Sequence, residues 1–260
     1  MLKRSIRLRG LAAGMAAVSF CGCSLAGSPF SAPRSAHVSS AGVSVLRLGA
    51  GSGYLRVVGH KGSAEIVISG VARADSRMVL EKVRMETRRA GDTLVVTSII
   101  PSSPAGTSPR LTPGLDLMID LPAGISLDVM DTSGAAYFRN IGSLRVVHGD
   151  GRLEADTVAG DVDITDGNGD MLVNDVGGNV HIVDGGGGIR LSGIGGSVDI
   201  PRAGDGEIKA SAVTGDVRIG SKSSGEVLVS GVGGNLVVTA RGDGSIEYRH
   251  VAGRLMVSTP

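Results

Sequence analysis

The sequence predicts an all-β fold: a Gly-rich parallel β-solenoid of about seven two-strand rungs preceded by a partly antiparallel β region. Three observations carry that expectation. One pattern returns every 18 or 19 residues between Val158 and Val257, beginning with an apolar column of Val158, Val176, Ile194, Val213, Val232 and Val251. Each unit then holds two apolar pairs spaced i, i+2, such as Val180/Ile182 and Ile189/Leu191, which read as two short strands with one face inward. The 42 glycines, the 2% aromatic content and the absence of Trp suit a narrow core filled by aliphatic ladders. Two strands cannot close a core alone, but stacked at about 4.8 Å they form continuous ladders. Glycines at 160, 178, 196, 215, 234 and 253 mark one corner, where positive φ and close backbone approach are expected.

In chain order, residues 1–22 read as a signal peptide. Lys3, Arg4, Arg7 and Arg9 precede an apolar run from Leu11 to Phe20 that is too short to span a bilayer. Their removal takes away four positive charges and no acid, so the exported chain carries net negative charge. Residues 23–42, rich in Ser, Ala, Gly and Pro, read as a flexible tether. The amino-terminal β region, 43–120, contains alternating runs at Tyr54–Val58, Glu65–Ser69, Asp92–Thr97 and Leu115–Leu121. Within it, Met78–Arg89 mixes helix-forming residues with an alternation that favours a strand returning through Gly91-Asp92. The solenoid occupies 121–260, with early rungs at Leu127/Val129 and Leu144/Val146.

Both cysteines lie in Phe20-Cys21-Gly22-Cys23. This stretch resembles the lipobox of bacterial lipoproteins, with Phe20 where that family prefers Leu. The resemblance implies lipid attachment at Cys23 and, with Ser24 in second position, sorting to the outer membrane. Ordinary cleavage after Ser24-Leu25-Ala26 is the alternative. The repeat form V-x-G-[DN]-V-x-I, introduced by Leu121-Pro-Ala-Gly124, is similar to that of bacterial β-strand-repeat proteins labelled as adhesins, a family of uncharacterised function. That resemblance covers residues 43–257 and implies extracytoplasmic exposure and non-enzymatic binding.

No catalytic residues, cofactor or metal site are expected, since nucleophile elbows, dinucleotide loops and paired-cysteine metal motifs are absent from the sequence. A calcium-binding nonapeptide roll has a fitting period, but its ligand positions hold Ile182 and Arg190. Arg241-Gly-Asp243 belongs to the Gly-Asp-Gly corner of the repeat. The outward column Arg145, Asp163, His181, Asp199, Arg218 places His181 between two carboxylates. It reads as a charge-alternating ladder in preference to a metal site. Nucleic acid is excluded as a partner because the rings that bases stack on are scarce.

The expected partners are the membrane, through the amino-terminal lipid, and an envelope protein or surface glycan. Self-association through the carboxy-terminal strand edge, Val251–Val257, is a further expectation. Two other functions are compatible with an exported β-solenoid: a β-helix carbohydrate-active enzyme, and an envelope-stress or assembly factor. Against the enzyme, the outer column Glu154, Leu172, Arg190, Lys209, Leu228 and Glu247 mixes chemistries without convergence.

Overall fold

The computed structural model describes residues 30–102, 111–239 and 244–258. The signal peptide, Cys21, Cys23 and Arg241–Asp243 lie outside the described residues. The strands are β1 Phe30–Ser39, β2 Val45–Ser52, β3 Leu55–His60, β4 Glu65–Ala74, β5 Arg84–Ala90, β6 Thr93–Ile99 and β7 Gly114–Pro122, with one helix, α1 Arg77–Lys82. The repeats follow as rungs: β8 Ser126–Ser133 with β9 Ala136–Ile141, β10 Leu144–Asp150 with β11 Leu153–Val158, and β12 Val162–Asn168 with β13 Met171–Val176. Next come β14 Val180–Asp184 with β15 Ile189–Ile194, β16 Val198–Ala203 with β17 Ile208–Val213, and β18 Val217–Lys222 with β19 Val227–Val232. The last are β20 Leu236–Val238 with β21 Ile246–Val251, and β22 Leu255–Val257.

These strands make two 11-stranded sheets. Sheet 1 runs β1-β4-β7-β3-β9 and then through the odd-numbered strands to β21; sheet 2 runs β5-β6-β2-β8 and then through the even-numbered strands to β22. From β8 onward every pairing is parallel, and the apolar pairs meet their own kind: Val162 on Val180, Ile164 on Ile182, Met171 on Ile189, Val173 on Leu191. All eight are at most 1% exposed except Leu191, at 2%. The apolar pairs therefore build continuous aliphatic ladders between the two sheets, as the columns predict.

Four expectations are corrected. The tether reading of 23–42 fails over Phe30–Ser39, which forms β1, antiparallel to β4 along its whole length; alternate residues Ala32, Ala36 and Val38 pack on the core. The region 43–120 is not a separate unit that stops at 120. The β2–β3 rung lies between β6–β7 and β8–β9, parallel to both, so Leu46 stacks on Leu94 and Leu127. Residues Arg77–Lys82 are helical and only Arg84–Ala90 is strand, antiparallel to β6. Ser76 caps that helix by accepting from the Val79 amide, and burial of Leu80 and Val83 fixes it on the stack.

The fourth correction concerns the corners. At Gly178 the reason for glycine is space: a Cβ there would stand 2.3 Å from Asp161 Oδ1 and 2.8 Å from the Gly160 carbonyl carbon. Positive φ falls on glycine at the other corner, at Gly134, Gly151, Gly169, Gly187 and Gly225, and also on the residue before each Val/Ile column, at Asn140, Thr157, Asp175, Gly193, Ala212, Gly231 and His250. The Asp/Asn of V-x-G-[DN]-V also has a function in the stack. Asp161 Oδ1 accepts from the Asn179 amide at 2.7 Å, Asn179 Oδ1 from Ser197 at 2.9 Å, and Asn235 Oδ1 from Arg254 at 2.8 Å. Each polar side chain thus satisfies a backbone donor of the next rung.

Candidate functional site

The outer face of sheet 2 carries the predicted column. Parallel register puts Arg145 beside Asp163, Asp163 beside His181, His181 beside Asp199 and Asp199 beside Arg218. Within it Arg145 Nη2 lies 3.2 Å from Asp163 Oδ2, and His181 Nδ1 lies 3.2 Å from Asp199 Oδ2. Asp163 is therefore drawn to Arg145, and His181 has one carboxylate contact rather than two. Among the described residues no three His, Cys, Asp or Glu side chains converge as a metal set. The inserted β2 rung lengthens the column: Arg47 stands on Asp128, with Nε 2.8 Å from Oδ2, and Asp128 stands beside Arg145. The sequence did not reveal this, because β2 precedes its stacking partner β8 by some eighty residues of chain.

Beside the charges runs a second outward column that is mostly apolar: Met130, Val147, Thr165 and Val183, adjacent in register. Met130 is 67% and Val147 47% exposed. A β-sheet face that alternates charge along one column and leaves apolar side chains open along the next is suited to contact with another surface. Sheet 1 offers a shallow groove of about 350 Å³ near its carboxy-terminal end, between Lys209, Ser211, Leu228, Ser230, Glu247 and Arg249.

The sequence reading missed a buried polar column inside the stack. In the early rungs of sheet 2 the inward alternation continues one step beyond the apolar pair, and that third position holds Asp131, His148, Asp166 and Asp184; past a register shift in β16 the next buried positions, one residue later in their rungs, hold Ala203 and Lys222. The pairings Asp131–His148, His148–Asp166 and Asp166–Asp184 are direct. The His148 side chain is fully buried; Nδ1 lies 2.6 Å from Asp166 Oδ1, while Nε2 lies 3.0 Å from the Gly134 carbonyl and 3.4 Å from Asp131 Oδ2. A carbonyl can only accept, so Nε2 carries a proton, and the Asp166 carboxylate favours a second proton on Nδ1.

Burial opposes that charge on His148, but the Asp166 hydrogen bond, the Gly134 carbonyl and the two carboxylates outweigh it and raise its pKa. Burial pushes Asp131 up to about 6, against the attraction of His148. Asp184 is raised by burial, although it accepts from the Gly186 amide at 3.1 Å, with the Asp166 charge adding to the rise. Lys222, 2% exposed, is lowered by burial; its ammonium reaches over the small Ala203 to the carbonyls of Gly204, Gly206 and Ser224. The column is closed to solvent, and its chemistry is that of a proton-holding strut in the core.

The fold and its surfaces define a class: two-sheet parallel β-solenoids that display the outer faces of their sheets. No family model matches the chain, and no curated protein matches it by sequence. Solved structures do match it. A candidate cell adhesion protein of Clostridium sporogenes matches at 14% identity, over 90% of this chain and 100% of that one, with TM-score 0.35. A candidate adhesin of Parabacteroides merdae matches at 10% identity, over 87% and 96%, with TM-score 0.37. A candidate adhesin of Bacteroides fragilis matches at 12% identity, over 88% and 97%, with TM-score 0.29. Superpositions this loose say nothing of a role or a site. Among the described residues no helix is long and apolar enough to cross a membrane.

Proposed function

We propose that this chain is an exported, lipid-anchored, non-enzymatic protein of the cell envelope, sorted to the outer membrane, that uses the outer face of sheet 2 to bind an envelope protein or surface glycan. The observation that carries the reading is the pair of columns on that face: Arg47 to Arg218 alternating in charge, and Met130 and Val147 exposed beside them. The strands beneath are hydrogen-bonded rung to rung at about 4.8 Å, so the face presents its charges at a regular spacing with little backbone left to order on binding. Anchoring rests on Cys23, after a basic and apolar leader with the lipobox-like Phe20–Cys23.

The test is retention of purified Cys23→Ser protein on envelopes of a strain lacking the gene. The double variant Met130→Asp/Val147→Asp should lose about tenfold in affinity or more, because it places charge on the apolar column. Arg190→Ala, on sheet 1, should bind as the parent does. Equal binding by the parent and the sheet 2 variant would move the site elsewhere.

A further inference from the structure

The two ends of the stack are built differently. At the amino-terminal end the edge strand β1 carries Pro33, which has no amide to donate, and β5 is rich in charge with Arg84, Glu86, Arg88 and Arg89. Helix α1 packs there, held by Arg34, whose guanidinium donates to the Val83 and Leu80 carbonyls. Among the described residues the carboxy-terminal edges β21 and β22 carry no proline and no packed helix, and the charges of β21, Glu247 and Arg249, are of opposite sign. Core columns that are at most 2% exposed at Val229, Leu236 and Val238 rise to 46% at Tyr248, 40% at Leu255 and 39% at Val257.

The geometry points to a second copy of this chain as the occupant of that end, in a two-fold dimer with β21 on β21 and β22 on β22. A two-fold axis normal to the sheets reverses strand direction, so both new pairings are antiparallel while each sheet continues across the junction. Centred on Tyr248, that register sets Glu247 opposite Arg249 of the partner subunit, and Arg249 opposite the partner subunit's Glu247. Both side chains point outward and are largely free, 57% and 76% exposed, with only a 3.9 Å contact to each other. In sheet 2 the same axis runs β22 antiparallel to its copy, so the exposed Leu255 and Val257 meet those of the partner subunit and extend the apolar columns. The edge is thus complementary to itself in charge and in apolar pattern, as an isologous interface requires. Head-to-tail growth is disfavoured, since the other end offers Pro33 and the arginines of β5. This dimer is independent of what sheet 2 binds.

The experiment uses the full chain with Cys21→Ser and Cys23→Ser, purified in detergent, and Tyr248→Cys as the reporter. The two-fold register brings the partner's position 248 directly across, so oxidation should give a disulfide-linked dimer on a non-reducing gel. Met118→Cys, exposed at the far end of sheet 1, should stay monomeric. Glu247→Arg should raise the dimer dissociation constant by about tenfold or more, because two opposite-charge pairs become like-charge pairs. Glu247→Arg/Arg249→Glu should restore it, which a simple loss of folding would not. A protein that sediments as a monomer and fails to cross-link through Tyr248→Cys overturns the proposal, as does cross-linking indifferent to both charge variants.

Discussion

Replacing Asp131 by Asn should make the protein more stable at pH 8, and by roughly half that margin at pH 5. Asp131 is buried, neither carboxylate oxygen has a hydrogen-bond partner among the described residues, and His148 stands 3.4 Å away. Its pKa is raised from 3.8 to about 6. A rise of that size means that holding the ionised carboxylate in the fold costs about 3 kcal/mol at alkaline pH. Between the two values the folded protein keeps a proton the unfolded chain has lost, so stability grows as pH falls through 6. His148, raised above 6.5, acts in the same direction: its contribution is complete below 6.5 and is lost as pH rises through the folded value. Asp184, also raised, adds to the trend.

Two kinds of group act in the opposite sense. Lys222 is lowered from 10.5, so stability returns as pH climbs from its folded value towards 10.5. Asp92 and Glu207, held down by the Ser44 hydroxyl and by Lys209, lose their contribution as pH falls below their unfolded values near 4. Over pH 5–8 the buried column governs, and the parent should be more stable at pH 5 than at pH 8. The Asn variant should gain about 1–3 kcal/mol at pH 8 and roughly half of that at pH 5, the lower figures allowing for a buried amide less well housed than the neutral acid. Urea unfolding at pH 5, 6.5 and 8 measures this. A variant less stable than the parent by the same amount at all three values would show that Asp131 is a bonded, ionised member of the column, and the reasoning would fall.

Two further outcomes test the register and the corners. Ile182→Ala, at a fully buried position between rungs, should cost about 2–5 kcal/mol, whereas Arg190→Ala, outward and paired only with Glu207 at the surface, should cost under about 0.5; equal costs in denaturant melts would place both on the wrong faces. Thr157→Gly should stabilise by about 1 kcal/mol, because a β-branched residue is held there at φ 58°, and a loss of stability would mean the Thr157 side chain contributes more than its backbone strain costs.

The stack was legible because every rung repeats the same two apolar pairs, and Val162/Ile164 above Val180/Ile182 needs no partner outside the pattern. The buried column was legible in principle: Asp131, Asp166 and Asp184 each follow the first pair at the next inward step, so extending the alternation by two residues finds them. A carboxylate at such a position reads equally well as the start of a corner, so the alternation alone does not show that it is buried. The left-handed positions were harder, since Asn140, Thr157, Asp175, Ala212 and His250 share a backbone conformation and no chemistry. The insertion of the β2–β3 rung could not be read at all. Leu46 and Leu48 alternate like any strand, and their partners Leu127 and Val129 are set by the path of the chain rather than by a period. For the same reason Arg47 and Asp128 were missed as the start of the outer charge ladder, while Asp163, His181 and Asp199 were found.

The proposed role at the envelope depends on a membrane anchor, so the state of Cys23 bears on it most directly. Intact-mass measurement of the protein extracted from membranes of an expressing bacterium should show a chain that begins at Cys23 and carries the mass of attached acyl chains. Cys23→Ser should remove that mass and release the protein from the membrane fraction. A mature chain that begins at Gly27, unmodified and free of the membrane in the parent, would contradict the anchored envelope protein proposed for it.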